Sequence, residues 1–244
     1  MLKRILDMVV AASALLLLSP FLAIILFLIW SQDRHSPFYI ALRAGVGGSP
    51  FKMVKIRSMV VNADRSGVES TSADDGRITP LGHFVRRWKI DELSQLWNVF
   101  RGDMSLVGPR PNTLKEIATY SEEERKLLSM KPGITDFSSI VFSDEGEILK
   151  NSRDPDADYT YLIRPWKSEL GLLYVRHASA GLNLRLIWLT LVAIVDKQRA
   201  LDRLDTLLSS LGCDDEVREV ARRRRPLADF AEGASNRSVL VRAR

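Results

Sequence analysis

From Met8 to Trp30 the chain runs 23 residues without a charge. A run of that length reads as a membrane segment rather than a core helix. Ser19 and Pro20 interrupt it near the middle. Proline removes a backbone donor and clashes with the carbonyl four residues back, so a break in the helix is expected there. No A-x-A-like cleavage site follows, and the run exceeds a signal-peptide h-region. Two short β-like stretches come next, Phe38–Leu42 and Phe51–Ile56. The intervening 43-RAGVGGS-49 has hairpin-turn chemistry. Residues 62–76 are polar and read as a loop with some mobility. In 90-IDELSQLWNVFRG-102 apolar Leu93, Leu96, Trp97 and Phe100 recur at three and four, between Asp91 and Gly102, which predicts a helix. Residues 113–130 predict a second helix, ended by 131-KPG-133. Leu182–Val195 is apolar but too short to span. Its Asn183, Arg185 and Trp188 fit an amphipathic helix lying in a membrane interface, and a core helix is the alternative. There is no internal repeat.

Composition alters this picture only in part. Hydrophobic residues make up 46% and charged residues 27%, enough apolar material for a folded core. A single cysteine, Cys213, excludes an internal disulfide and fits a reducing compartment. His35, His83 and His177 are scattered, so no zinc-type ligand set is expected. The formal charge of +5 is not spread evenly. Residues 217–244 hold eight arginines against Glu219, Asp229 and Glu232, which leaves the rest of the chain neutral. A basic nucleic-acid-binding body is therefore not expected. The tail carrying 222-RRRR-225 reads as a solvated, partly disordered end, or as a segment drawn to anionic lipid headgroups.

Candidate chemistry centres on Asp91 and Glu92. Two carboxylates at a helix start can be a cap and a dipole complement and nothing more. Alternatively one is a nucleophile, or both handle a metal ion, since a helix N-terminus keeps a carboxylate ionised and favours a phosphate nearby. Arg77, Arg86, Arg87 and Lys89 crowd upstream. Arg110 sits between two prolines downstream, and Lys52, Lys55 and Arg57 follow the predicted hairpin. Arginine suits bidentate phosphate recognition. Carboxylates with arginines and no histidine cluster point to phosphoryl chemistry with Mg²⁺ rather than zinc hydrolysis. The segment 45-GVGG-48 lacks the context of a dinucleotide or P-loop site and reads as a turn. Ser36 and Ser105 have no neighbouring His and Asp set for a triad.

Residues 52-KMVKIRSM-59, 77-RITPLGHFVRRWKIDELSQLWNVFRGDMSLVGPRP-111 and 131-KPGIT-135 together resemble the bacterial sugar transferases, the monotopic phosphoglycosyl transferases. The resemblance runs from about Lys3 to Val195, and Asp7 and the Ser19–Pro20 break also match. It implies transfer of sugar-1-phosphate from a UDP-sugar to undecaprenyl phosphate, releasing UMP and starting exopolysaccharide, O-antigen or other glycan assembly. It implies Asp91 as the nucleophile forming a covalent phosphosugar intermediate and as the Mg²⁺ ligand, with Glu92 in support. Lys55, Arg86 and Arg110 match positions expected to face phosphates, and Arg57 is grouped with them. The implied form is the small one, with no large multi-span N-terminal region. The oligomeric state stays open, a homo-oligomer included. There are departures. After 131-KPGIT-135 many members read GWAQVNGR where this chain has DFSSIVFSDEGEILK. Asn183 replaces a usual Asp, and nothing beyond about Asp196 is covered.

The expected fold class is α+β, mostly helical. Its parts are a re-entrant membrane helix-break-helix over residues 1–35, a membrane-interface catalytic domain over 36–200 containing a small β-hairpin and interfacial amphipathic helices, and a polar tail over 201–244. Positive charge flanks the apolar run on both sides, so the charge rule gives no orientation. Met8–Leu18 and Phe21–Trp30 would each reach roughly 15 Å, half of a ~30 Å hydrocarbon core. The resemblance favours a hairpin that returns to the cytosolic face of the inner membrane over a spanning helix. A non-enzymatic membrane-tethered binding module, with Asp91 as a helix cap, is the rival reading.

Overall fold

A computed structural model describes residues 2–237. Leu2–Asp33 form one helix, α1, which continues through Pro20. The break expected at Ser19–Pro20 therefore does not split it in two. The reason is local: Pro20 leaves the Leu16 carbonyl without its usual N–H donor, and the Ser19 hydroxyl donates to that same carbonyl at 2.8 Å. Asp7, Ala11, Leu22, Ile25 and Ile29 are buried along one side, with Leu15 and Leu18 packed between them. The spacing of three and four makes this a continuous stripe. The opposite side is bare, Leu16 and Leu17 being 78% and 81% exposed.

The body grips α1 at both ends. Near its start, Arg4 donates to the Phe100 carbonyl at 2.7 Å, and Asp7 accepts from Ser105 Oγ at 2.7 Å. Near its end, Ile25 and Ile29 pack with Ile56, Val85 and Ile90. The hairpin appears as expected, slightly longer: β1 (Phe38–Ala44) pairs antiparallel with β2 (Pro50–Ile56), Phe38 opposite Ile56. Gly47 and Gly48 take φ of 64° and 81° in the connection, which is where glycine is needed.

After the hairpin come α2 (Pro80–Arg87), α3 (Ile90–Leu93), α4 (Gln95–Arg101) and β3 (Ser105–Val107). The helix expected over 90–102 is thus two, divided at Ser94, and it ends at a left-handed Gly102 as expected. The helix expected over 113–130 is absent. In its place stand α5 (Leu114–Ile117) and a 3₁₀ stretch, Glu124–Ser129. Gly133–Thr135 is β4, parallel to β3. A side chain on Gly133 would bring Cβ to 2.1 Å from the Gly108 nitrogen, so the GPRP loop and the KPG turn can touch only through glycines. The polar stretch 62–76 is irregular, but Arg77 gathers it, donating to Asp75, Ser66 Oγ and the carbonyls of Ala63, Val68 and Ser70.

The remaining elements are α6 (Phe137–Val141), α7 (Glu145–Ile148), α8 (Pro155–Asp158), α9 (Arg164–His177), α10 (Ala180–Val195), α11 (Lys197–Ser210), α12 (Asp215–Arg222) and α13 (Ala231–Arg237). Helix α10 has one side in the core and one apolar side turned outward. Leu182, Leu186 and Leu189 are in the core, while Leu184, Trp188, Leu191 and Val195 face outward. The partly disordered tail expected from 201 onward is a correction. Leu201, Leu204, Leu208, Val217 and Val220 are core residues packed with Trp166 and Leu186. The arginine run is neutralised: Arg222 pairs with Asp205, Arg223 with Asp144, Arg224 with Asp202 and Arg225 with Asp229. Residues 238–244, with Arg242 and Arg244 of the basic tail, lie outside the described residues. The overall architecture is α+β and mostly helical.

Candidate active site

Strand β2 and the α3–α4 corner are held in register by side chains acting as a missing strand. The Val54 N–H donates to Asn98 Oδ1 at 2.9 Å, and its carbonyl accepts from Ser94 Oγ at 3.0 Å. Asn98 Nδ2 donates to the Lys52 carbonyl at 2.7 Å. Lys55 is thereby fixed one residue from a bond to the helix carrying Asp91, and its Nζ lies 3.7 Å from Asp91 Oδ2. The other Asp91 oxygen, Oδ1, is buried with no hydrogen-bond partner. Glu92 turns to the GPRP loop, where Arg110 Nη2 donates to its Oε1 at 2.6 Å.

The residue before α3 is Lys89, in the left-handed region at φ 56°, and no side chain caps this helix. A non-glycine residue there is uncommon and costs roughly 1–2 kcal/mol. The cap reading of Asp91 is corrected accordingly. Asp91 sits inside the first turn and bonds to no backbone amide, because α3 begins directly after the Trp88–Lys89 corner.

Electrostatics separate the two acids. Burial pushes the Asp91 carboxyl above its ordinary range, Lys55 opposes that, and neighbouring Glu92 reinforces it. Burial alone would also raise Glu92, but the charges of Arg110, Lys89 and Lys55 override it and hold Glu92 at about 2. Glu92 thus raises Arg110. Burial lowers Lys55, and Asp91 and Glu92 pull it back up. The pair divides the work: Glu92 is a fixed anion spent on Arg110, and Asp91 is a carboxylate with a free oxygen.

Asp91, Glu92, Lys55, Arg86 and Arg110 all line one open cavity of about 1790 Å³. Arg86 makes no ion pair with any described residue. Arg57 is a correction. Although it borders the cavity, its guanidinium is committed to Asp33 at the end of α1, at 2.5 and 2.7 Å. It locks the hairpin to α1 rather than offering itself to a phosphate. Sequence reading missed the far wall, where Arg43, Glu116, Glu145, Tyr159, Arg164 and Lys167 line the same cavity. These residues come from five separate segments and share no spacing that could have flagged them.

No described group of three or more His, Cys, Asp or Glu residues could cage a metal ion. The Asp91 carboxylate nonetheless fits Mg²⁺, which is commonly held by one or two carboxylates together with substrate phosphates. A large open cavity with one bare carboxylate oxygen and several cations is thus suited to a charged phosphate ester rather than to hydride or zinc chemistry.

The sequence compared with known proteins agrees with that class. The family model described as bacterial sugar transferase matches residues 1–197, and the chain belongs to that family. It is 42% identical to a UDP-galactose-lipid carrier transferase of Erwinia amylovora, over 55% of this chain and 31% of that protein. It is 34% identical to a UDP-glucose:undecaprenyl-phosphate glucose-1-phosphate transferase of Caulobacter vibrioides, over 68% of this chain and 64% of that protein. A Klebsiella pneumoniae protein of the same description is 32% identical over 77% of this chain and 39% of its own length. The chain spans about a third to just under two thirds of the length of these relatives.

Proposed function

We propose that the protein transfers sugar-1-phosphate from a UDP-sugar to undecaprenyl phosphate, through a covalent intermediate on Asp91. The observation that carries this is the buried, unpartnered Asp91 Oδ1 beside Lys55 and the Glu92–Arg110 pair. A carboxylate oxygen with no hydrogen bond keeps its lone pairs for a nucleophilic role. Asp91 attacks the β-phosphorus, the bond from that phosphorus to the bridging oxygen breaks, and UMP leaves with the electron pair. Lys55, Arg86 and Arg110 hold the phosphoryl oxygens as negative charge shifts toward the leaving group. An oxygen of the lipid phosphate then attacks the same phosphorus. The aspartyl–phosphorus link breaks, the Asp91 carboxylate returns, and undecaprenyl-diphosphate-sugar is released. Asp91 and the donor's phosphate oxygens would hold Mg²⁺, which would supply further neutralising charge on the diphosphate.

The test is UMP release with UDP-glucose, UDP-galactose and their N-acetylated analogues. A covalent route releases UMP stoichiometric with protein before any lipid acceptor is added, and catalytically afterwards. No UMP from any donor would sink the assignment. UMP only when both substrates are present would point to direct attack by the lipid phosphate.

The acceptor implies the inner membrane, with the body on the cytosolic face and the unbroken α1 lying along the interface with the body rather than crossing. Support comes from the grip on both ends of α1 and from the stripe Ala11–Ile29, which packs on the hairpin and on α2–α4. A helix covered by a polar enzyme body along one side cannot run through lipid alone. Its bare side, the outer face of α10 and exposed Trp88, Trp97 and Phe100 offer the apolar and aromatic surface that an interface takes up. Cysteines introduced near residues 2 and 35 should both be labelled by an impermeant reagent from the cytosolic side only. Labelling from opposite sides would restore a spanning helix.

A further inference from the structure

The cavity changes character on the far side of Arg110. Around Asp91 cations are in excess, with Lys55, Lys89, Arg86 and Arg110 against two carboxylates. On the far wall Arg43, Arg164 and Lys167 meet Glu116 and Glu145, and Glu124 backs Arg164 from outside the cavity, so charge is balanced. A balanced wall does not select a phosphate. It does select a neutral group that donates and accepts hydrogen bonds at once.

Several polar atoms there make no hydrogen bond. Glu116 Oε1 and Arg164 Nε are buried 3.5 Å apart, yet neither makes a hydrogen bond. Ser139 Oγ, on the same cavity, is a third. Buried polar groups are nearly always hydrogen-bonded, so this charge pair, with Ser139 beside it, keeps hydrogen-bonding capacity for a ligand. Arg164 is held from behind: its Nη2 is 3.5 Å from Glu124, which accepts from Ser168 Oγ at 2.9 Å. The Tyr120 ring lies 5.8 Å from the guanidinium.

The backbone is shaped to the same end. Tyr159–Ile163 is a π-turn, and the Arg164 N–H donates to the Tyr159 carbonyl. Such i→i+5 bonding sets residues five apart roughly one above the other. On an α-helix they would be about 140° apart. The turn therefore brings Tyr159 and Arg164 to one cavity, and single π-turns are frequent at functional sites.

We propose that Glu116, Arg164, Tyr159 and Ser139 bind the hydroxyl groups of the donor's sugar and decide which sugar is accepted. This rests on the reading of the protein as a UDP-sugar transferase. Carboxylate and guanidinium side by side suit hydroxyls, which donate to one and accept from the other. A uracil ring would instead want a free aromatic face, and Lys167 Nζ sits 4.9 Å over the Tyr159 ring.

The test compares wild type, Glu116→Gln and Tyr159→Phe on UDP-glucose, UDP-galactose, UDP-N-acetylglucosamine and UDP-N-acetylgalactosamine, with UMP as an inhibitor of each. Each variant should lose about tenfold in kcat/KM on the preferred sugar, mostly through KM, and narrow the gap between sugars. The UMP inhibition constant should stay within about twofold. An equal fractional loss on all four donors would overturn the proposal. So would UMP inhibition weakening in step, which would place the nucleoside on this wall. Should Glu116→Gln fail to fold, Tyr159→Phe carries the test alone. Absence of UMP release by wild type from every donor would instead defeat the transferase reading itself.

Discussion

An Asp91→Asn protein will fold at least as stably as wild type, yet release UMP roughly 10³-fold or more slowly and take up no label from a donor radioactive in its β-phosphate. Both halves follow from the same oxygen. The carboxylate is buried, and its Oδ1 bonds to nothing. Burial raises its folded-state pKa above the ordinary value of 3.8. A carboxyl raised on folding is a cost that is absent below the unfolded pKa, grows as pH rises, and is complete above the folded pKa. At neutral pH the wild-type fold bears that cost, and the neutral amide removes it. A helix cap predicts the reverse, a loss of about 1 kcal/mol. Thermal unfolding of the two proteins at pH 7 distinguishes these outcomes without reference to activity. The same shift gives the wild-type rate an acid limb. Attack needs the ionised form, so UMP release should fall with decreasing pH at a value above 3.8. A fully active Asp91→Asn protein would remove Asp91 from the chemistry.

Much of this was legible in the sequence where the signals are local. Glycines at 47 and 48 between β-branched and aromatic stretches specify a hairpin, because the turn itself needs left-handed residues. Period three-and-four apolar positions, with Gly102 as a stop, specify most of α4. Misreadings came where two local signals competed. Leu201, Leu204, Leu207 and Leu208 carry a helical period, but the arginines and acids around them suggested solvent. Only the packed partners, Trp166 and Phe137 among them, decide that the stripe is core. Arg57 read as a phosphate ligand because it stands two residues from Lys55. In a strand such neighbours share a face, but Arg57 follows the last residue of β2, where the chain leaves the ladder toward Asp33. The wall of Glu116, Tyr159 and Arg164 had no local signal, since it is assembled by α5 and the π-turn meeting across the cavity. The Asp91–Glu92 pair was visible, but not its division of labour, which depends on Arg110 arriving from a different loop.

Replacing Arg110 with Met will lower stability by about 3–5 kcal/mol and abolish most UMP release, and adding Glu92→Gln will restore the first without restoring the second. The Arg110–Glu92 bond is 2.6 Å, and the two side chains are 29% and 14% exposed. Removing one partner leaves an uncompensated charge, which is the costly case for a buried pair, whereas removing both is close to neutral. The double variant therefore separates the clamp from the phosphate contact. If Arg110 served only to hold the loop, Arg110→Met with Glu92→Gln would recover activity along with stability. The pH dependence adds a second check. Glu92 is held at about 2, below its ordinary 4.5, so it contributes stability that is full above pH 4.5 and lost as pH falls through 4.5 toward 2. Without Arg110 the largest opposing charge is gone and burial dominates, so that acid-side loss should flatten. An unfolding free energy measured from pH 7 to pH 2.5 that keeps the wild-type slope in Arg110→Met would mean that Lys89 and Lys55, not Arg110, hold the Glu92 carboxylate.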